Sequence, residues 1–167
     1  MELLRQEAWP AAVAIAILTI AAVINYQTLG VPNWLTFGGV ISGWAVGILA
    51  DSGIVEVRGG LVASLAATAI SFGVLFPWVL RRFLGEGCVK AQMAFGAWIG
   101  NAIALEPAAT IALISGVVGS LTLLAYTCMM LILGRIRQQR VLGLWLPAQV
   151  PLSIGSVGGV GLWQLWG

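Results

Sequence analysis

The chain is dominated by six long apolar stretches, roughly 9–26, 34–50, 60–80, 90–105, 108–133 and 142–166, separated by short connectors that hold nearly all of its charges. A stretch of about 20 apolar residues matches the thickness of a bilayer's hydrocarbon core. Inside that core only a helix or a closed barrel can pair all of its backbone polar groups. The pattern predicts an all-α fold, a polytopic membrane bundle of six transmembrane helices forming a single domain over 1–167. The second and fourth stretches are short, as expected of helices that tilt or are surrounded by protein. Composition closes the soluble alternative: 60% of residues are hydrophobic and 8% charged, against about 25% charged in a soluble domain. A net charge of +2 neutralises few phosphates, so no nucleic-acid partner is expected. The flank Glu2, Arg5, Glu7 is not basic and no small-residue cleavage site follows the first stretch, so that stretch reads as a span and not as a cleavable signal peptide.

Orientation follows from the basic residues. Arg81, Arg82, Lys90, Arg135, Arg137 and Arg140 fall in the connectors after the first, third and fifth stretches, whereas Arg5 and Arg58 fall on the other side. Lys and Arg favour the cytoplasmic face, which predicts both termini outside. Glu2, Glu7, Asp51, Glu56 and Glu106 sort to the outer face, leaving Glu86 as the one acidic residue inside. Trp9, Trp34, Trp78, Trp145, Trp163 and Trp166 stand near span ends, where an amphipathic ring gains at the interface. Gly39, Gly43 and Gly47 recur every fourth residue, as do Gly96 and Gly100, and Gly155 and Gly159. Such stripes let helices approach closely where lipid removes the hydrophobic drive. They predict a compact bundle within the monomer, with a dimer face as the weaker reading. Pro77, Pro147 and Pro151 read as kinks or first-turn residues.

Three counts limit the chemistry. The chain has no histidine, two cysteines (Cys88 and Cys128) and one aspartate, Asp51. Histidine-based nucleophilic machinery is therefore absent, and no metal site or other cofactor is expected. No charge falls in mid-span, which removes the usual mark of a conduction path.

Two segments on the side assigned as cytoplasmic stand out. The first span ends Asn25-Tyr26-Gln27-Thr28-Leu29-Gly30-Val31-Pro32-Asn33-Trp34-Leu35-Thr36. The connector before the fourth span reads Gly85-Glu86-Gly87-Cys88-Val89-Lys90 and leads into Ala91-Gln92-Met93-Ala94-Phe95-Gly96-Ala97-Trp98-Ile99-Gly100. A Gly-x-Gly turn opening a helix offers free N–H groups at a positive helix end, and Lys90 one turn in can pair with a carboxylate or a lipid phosphate.

Together these segments resemble the type IV prepilin peptidases, including the preflagellin-peptidase-like and Tad-pilus forms. These are polytopic aspartic endopeptidases of bacterial and archaeal inner membranes. The family's first motif is an Asp at the end of the first span with Pro-Asn seven residues on; Val31-Pro32-Asn33-Trp34-Leu35-Thr36 matches its second half. The family's second motif is Gly-x-Gly-Asp-x-Lys at the head of the fourth span, matched by Gly85, Gly87 and Lys90 and by the Gly/Ala-rich run that follows. Val150-Pro151-Leu152-Ser153-Ile154-Gly155 is similar to the family's Pro-containing final helix. The likeness implies a multi-pass protein of the bacterial inner membrane with periplasmic termini and a cytoplasmic-side site. It also implies the removal of a short leader from pilin-like precursors that carry a basic leader and a hydrophobic helix. Besides that precursor, the implied partner is membrane lipid; oligomeric state is left open. The site residues carried over are Asn25 and Cys88 at the catalytic positions, with Pro32, Asn33, Gly85, Glu86, Gly87 and Lys90 in support.

The two catalytic positions are where the chain departs. Aspartic proteolysis needs a pair of carboxyl groups, one ionised and one protonated. Asn25 has no titrating proton near neutral pH, and Cys88 lacks an activating histidine. Asp51 is assigned to the opposite face, and Glu86 alone is not a pair. The expectation is an endopeptidase fold whose reaction is abolished. Asn25 then stands either for an engineered substitution or, with Cys88, for natural drift to a pseudo-peptidase that binds pilin-like substrates or assists pilus or secretion assembly. A separate hydrolytic site made by Cys88 with Glu86 is a third reading.

Overall fold

The computed structural model describes residues 9–28, 30–81, 84–137 and 149–166, with side chains beyond Met129 described only for 150–159. Glu2, Arg5, Glu7, Arg82, Arg140, Trp145 and Pro147 lie outside the described residues, and so do the side chains of Glu106, Arg135, Arg137, Trp163 and Trp166. The described chain forms six helices: α1 (Trp9–Thr28), α2 (Asn33–Asp51), α3 (Leu61–Leu80), α4 (Glu86–Ala102), α5 (Leu105–Arg137) and α6 (Gln149–Trp166). Among the described residues, α1, α2, α3 and the Pro107–Tyr126 stretch of α5 are long and apolar enough to cross a membrane.

The helix ends follow from local chemistry. Pro10 and Pro151 sit in first turns, where a missing N–H costs nothing, and Pro77 lies in the last turn of α3. Asp51, at the end of α2, accepts a hydrogen bond from the Leu61 N–H at 3.1 Å and so holds the head of α3. The reversal between α2 and α3 uses Gly53 at φ +73°, a left-handed conformation that glycine adopts without steric cost.

The short α4 is the centre of the assembly. It packs against α1, α2, α3 and α5, whereas α1 and α2, joined by a short connector, hardly touch each other. Of its 17 residues 13 are buried, which explains why this helix carries polar groups such as Gln92 and Asn101. A helix enclosed by other helices exchanges lipid for protein partners, so its polar side chains can be satisfied by neighbouring backbones. Asn101 Nδ2 donates to the Gly43 carbonyl at 2.7 Å and to the Ala97 carbonyl at 3.0 Å. Trp98 Nε1 donates to the Gly39 carbonyl at 3.0 Å, and Ser64 Oγ donates to the Ala97 carbonyl at 2.6 Å.

All three glycine stripes face helices of the same chain. A Cβ at Gly43 would lie 2.8 Å from the Ala97 Cβ, and one at Gly39 2.8 Å from the Ala94 Cβ. Gly96 and Gly100 meet the backbone of α3 at Ala67 and Ser64, and Gly155 and Gly159 meet α5 at Gly119 and Ser115. The boundaries differ from the sequence expectation at α5, which runs Leu105–Arg137 against 108–133, and at α4, which begins at Glu86 and not at 90. Residues 142–148 of the sixth expected stretch lie outside the described residues. The difference at α4 has a simple cause. Its first turn is polar, so hydropathy alone misses it, although the sequence Glu86 to Lys90 supplies an i,i+4 acid–base pair of the kind that favours helix.

Close approach at Gly100 has a measurable consequence. Gly100→Ala puts a methyl group onto the Ser64 backbone, and overpacking of this kind costs about 1–3 kcal/mol. A methyl group at Gly38 on α2 would have nothing within 4 Å, so Gly38→Ala should be neutral or stabilising by about 0.5–1 kcal/mol. Thermal unfolding of the two variants in the same detergent should show a clear loss for the first alone; equal melting temperatures would contradict the packing described.

Candidate functional site

The two motif segments, more than fifty residues apart in sequence, come together at one end of the bundle. Gly87, in the first turn of α4, lies against Val31: a Cβ there would come within 3.1 Å of the Val31 Cβ and 3.4 Å of its backbone nitrogen. One turn further along, Ala91 packs with Leu35 of α2 and Ala21 of α1. The expected Gly-x-Gly turn thus divides into two roles. Gly85 is the N-cap of α4, in extended backbone with open space around it. Gly87 is already helical and is small because another segment crosses it.

Asn25 belongs to the buried face of α1 that runs through Ala14, Leu18 and Ala21. The helices α1 and α4 are antiparallel, with Trp9 edge-on to Trp98 at 5.6 Å between centroids and Ala21 beside Ala91. One more turn along α1 therefore brings Asn25 level with the first turn of α4, where Gly87 and Cys88 stand. Both Asn25 and Cys88 are buried, at 7% and 5% exposure. The Cys88 side chain packs with Leu75 of α3, Leu84, Val89 and Leu152 of α6.

Pro32 caps α2 in extended backbone, and its carbonyl accepts from the Leu35 N–H at 3.1 Å and the Thr36 N–H at 3.3 Å. Asn33 opens that helix and is exposed. Asp51 stands at the far end of α2, on the order of 28 Å away at 1.5 Å per residue, and is engaged with the start of α3.

Glu86 and Lys90 turn the other way from Cys88. Lys90 Nζ lies 3.4 Å from Glu86 Oε2 and 5.2 Å from the centre of the Phe37 ring. The Glu86 side chain is 79% exposed, whereas the Cys88 thiol points inward. Residues two apart on a helix do not face each other, so the two do not form a hydrolytic pair. Beside them an apolar groove of ≈ 280 Å³ runs between α2, α3 and α4, lined by Phe37, Phe72, Phe76, Val79, Val89 and Met93 with Glu86 and Lys90 at its rim. Sequence reasoning missed this groove, although Phe72 and Phe76 carry its signal as an i,i+4 aromatic pair with ring centres 4.8 Å apart.

The chemistry available at the motif end is limited. Asn25 offers an amide, and Cys88 a thiol whose pKa burial pushes up to about 11, only partly offset by hydrogen bonding to backbone at Gly85 and at Cys88 itself. Cys88 stands ahead of the apolar stretch 90–105. At neutral pH it is a protonated thiol in apolar packing and neither nucleophile nor acid. Both cysteines are free, Cys88 buried and Cys128 exposed. Neither Asn25 nor Cys88 carries a carboxyl group. One further polar group lies deeper in α4: the fully buried Gln92 accepts a hydrogen bond from Ser156 Oγ of α6 at 3.1 Å.

The raised pKa sets an expectation for labelling. A thiol with pKa about 11 holds roughly a hundredfold less thiolate at pH 8 than an ordinary one. In a Cys128→Ser background, N-ethylmaleimide at pH 8 should label the folded protein at least that much more slowly than the protein in SDS. The rate should climb as pH approaches 11. Equal rates in the two states would place the thiol at the surface.

Compared with models of protein families, with curated proteins and with solved structures, the chain matches none.

Proposed function

We propose that this chain is an integral membrane protein of prepilin-peptidase type that has kept the family's architecture and lost its reaction. On this reading all six helices span the inner membrane, the termini are periplasmic, and the end carrying Asn25, Val31, Gly87 and Cys88 faces the cytoplasm. Its role is then to bind a pilin-like precursor, with its basic leader and hydrophobic helix, without cutting it.

The observation that carries the reading is the meeting of Val31 with Gly87; counting helix turns from Ala21 and Ala91 then puts Asn25 level with Cys88. In the resembled family those are the positions from which two carboxyl groups act together. An amide and a buried thiol cannot divide the work of activating water and protonating a leaving group. Sorting of Arg81 and Lys90 to the motif end supports the cytoplasmic assignment.

The test is a reconstitution in proteoliposomes with a pilin-like precursor from the same organism. The chain as written should capture the precursor, read by photo-cross-linking from a probe in the precursor's hydrophobic helix, and leave its mass unchanged. The Asn25→Asp, Cys88→Asp double variant should release the leader, seen as a mass shift. Leader release by the unaltered chain would overturn the loss of activity. Neither capture by the chain nor cleavage by the double variant would remove the family reading altogether.

A further inference from the structure

The groove between α2, α3 and α4 has a chemical character that the proposed peptidase ancestry does not use. Its walls are aromatic and sulfur-bearing: Phe37 is 50% exposed and Phe72 and Phe76 are each 40% exposed, with Met93 at the back. It opens on the outside of the bundle, between two helices that are long and apolar enough to cross a membrane. Residues 33–37 and 86–93 open α2 and α4 and residues 76–80 close α3, all at one end of the bundle, so the groove reaches from the helix ends inward. At its rim a fixed positive and a fixed negative charge stand side by side. Lys90 Nζ is held 3.4 Å from Glu86 and over the Phe37 ring, leaving the Glu86 carboxylate 79% exposed.

A lone cation at the mouth of an apolar groove would select an anionic amphiphile. Here the acid beside it repels a purely anionic headgroup. The complement of an adjacent ammonium and carboxylate is a headgroup that itself carries an anion and a cation close together. A phosphodiester joined through two carbons to a primary ammonium fits on both counts. Its phosphate accepts from Lys90 Nζ, which has three donors, and its ammonium donates to the carboxylate oxygens of Glu86 in charge-assisted hydrogen bonds. The same molecule brings an acyl chain for the phenylalanine walls.

We propose that this groove is a binding site for an aminoethyl phospholipid, with one acyl chain on Phe37, Phe72 and Phe76 and the zwitterionic headgroup across Lys90 and Glu86. The proposal depends on the bundle lying in a bilayer but not on its being related to peptidases, so it stands or falls apart from the cleavage experiment.

The test uses the full chain in nanodiscs of equal parts phosphatidylethanolamine and phosphatidylglycerol, extracted into mild detergent, with retained lipids counted by native mass spectrometry. The unaltered chain should retain phosphatidylethanolamine in preference. Glu86→Gln should lower that preference about two- to fivefold, the range of a partly exposed ion pair, by releasing the anionic lipid from repulsion. Lys90→Gln should reduce retention of both lipids. Glu56→Gln, at the opposite end of the bundle, is the control and should change nothing. Glu86 is exposed and Lys90 is half-buried at the rim, so both variants are expected to fold, which melting temperature verifies. The proposal is overturned by retention of no lipid, by preference for phosphatidylglycerol in the unaltered chain, or by an equal ratio in the unaltered and Glu86→Gln proteins.

Discussion

Asn101 reaches the Gly43 carbonyl at 2.7 Å because neither Gly43 nor its neighbour Ala97 carries a side chain that would hold the helices apart. The same condition applies at Trp98 and Gly39 and at Ser64 and Ala97. In lipid the association of helices gains little from burying apolar surface, since the tails are as apolar as leucine. What remains is close packing and interhelical hydrogen bonding, and both require backbones in near contact. The glycines of α2 and α4 supply that contact at the centre of the bundle, and Gly155 and Gly159 supply it between α6 and α5. With α4 held at the centre, its polar residues become an asset where on a lipid-facing helix they would be a cost.

That arrangement explains what could be read from the sequence and what could not. The apolar runs of α1, α2, α3 and the Pro107–Tyr126 stretch of α5 were legible because each is long and apolar with much of its length on the outside of the bundle, and hydropathy reads such stretches directly. The glycine stripes were legible for a similar reason, since their spacing of four encodes a helix face. The start of α4 was not. Its first turn, from Glu86 to Lys90, is polar, and hydropathy cannot tell a polar turn of helix from a polar loop. The groove was missed because its walls come from three helices, and no window along one segment contains Phe37, Phe76 and Met93 together.

The candidate site was legible in part. The resemblance carried by Val31-Pro32-Asn33 and Gly85-x-Gly87 implied two segments that belong together, and Val31 against Gly87 shows a physical reason for the second glycine. The sequence reading treats the Gly-x-Gly as one turn that opens a helix. In the structure Gly85 needs no special conformation and Gly87 needs room. Glu86 and Cys88 are neighbours on paper but two positions apart on a helix, and one faces water while the other is buried.

On the proposed reading, the surroundings of Cys88 bear on how a carboxylate at that position would be lost. A side chain packed with Leu75, Leu84 and Leu152 is in a setting where a charged carboxylate pays a desolvation cost unless a partner shares a proton or a hydrogen bond. If, on that reading, an aspartate at position 25 were replaced first, a carboxyl group at position 88 would lose its proton-sharing partner and become an unpaired acid in apolar contact. Replacement by a small, neutral thiol relieves that cost, because a buried cysteine behaves as a compact apolar side chain. The order matters physically. Loss of either member of such a pair removes both the reaction and the reason for tolerating the other, so the two departures need not be independent events.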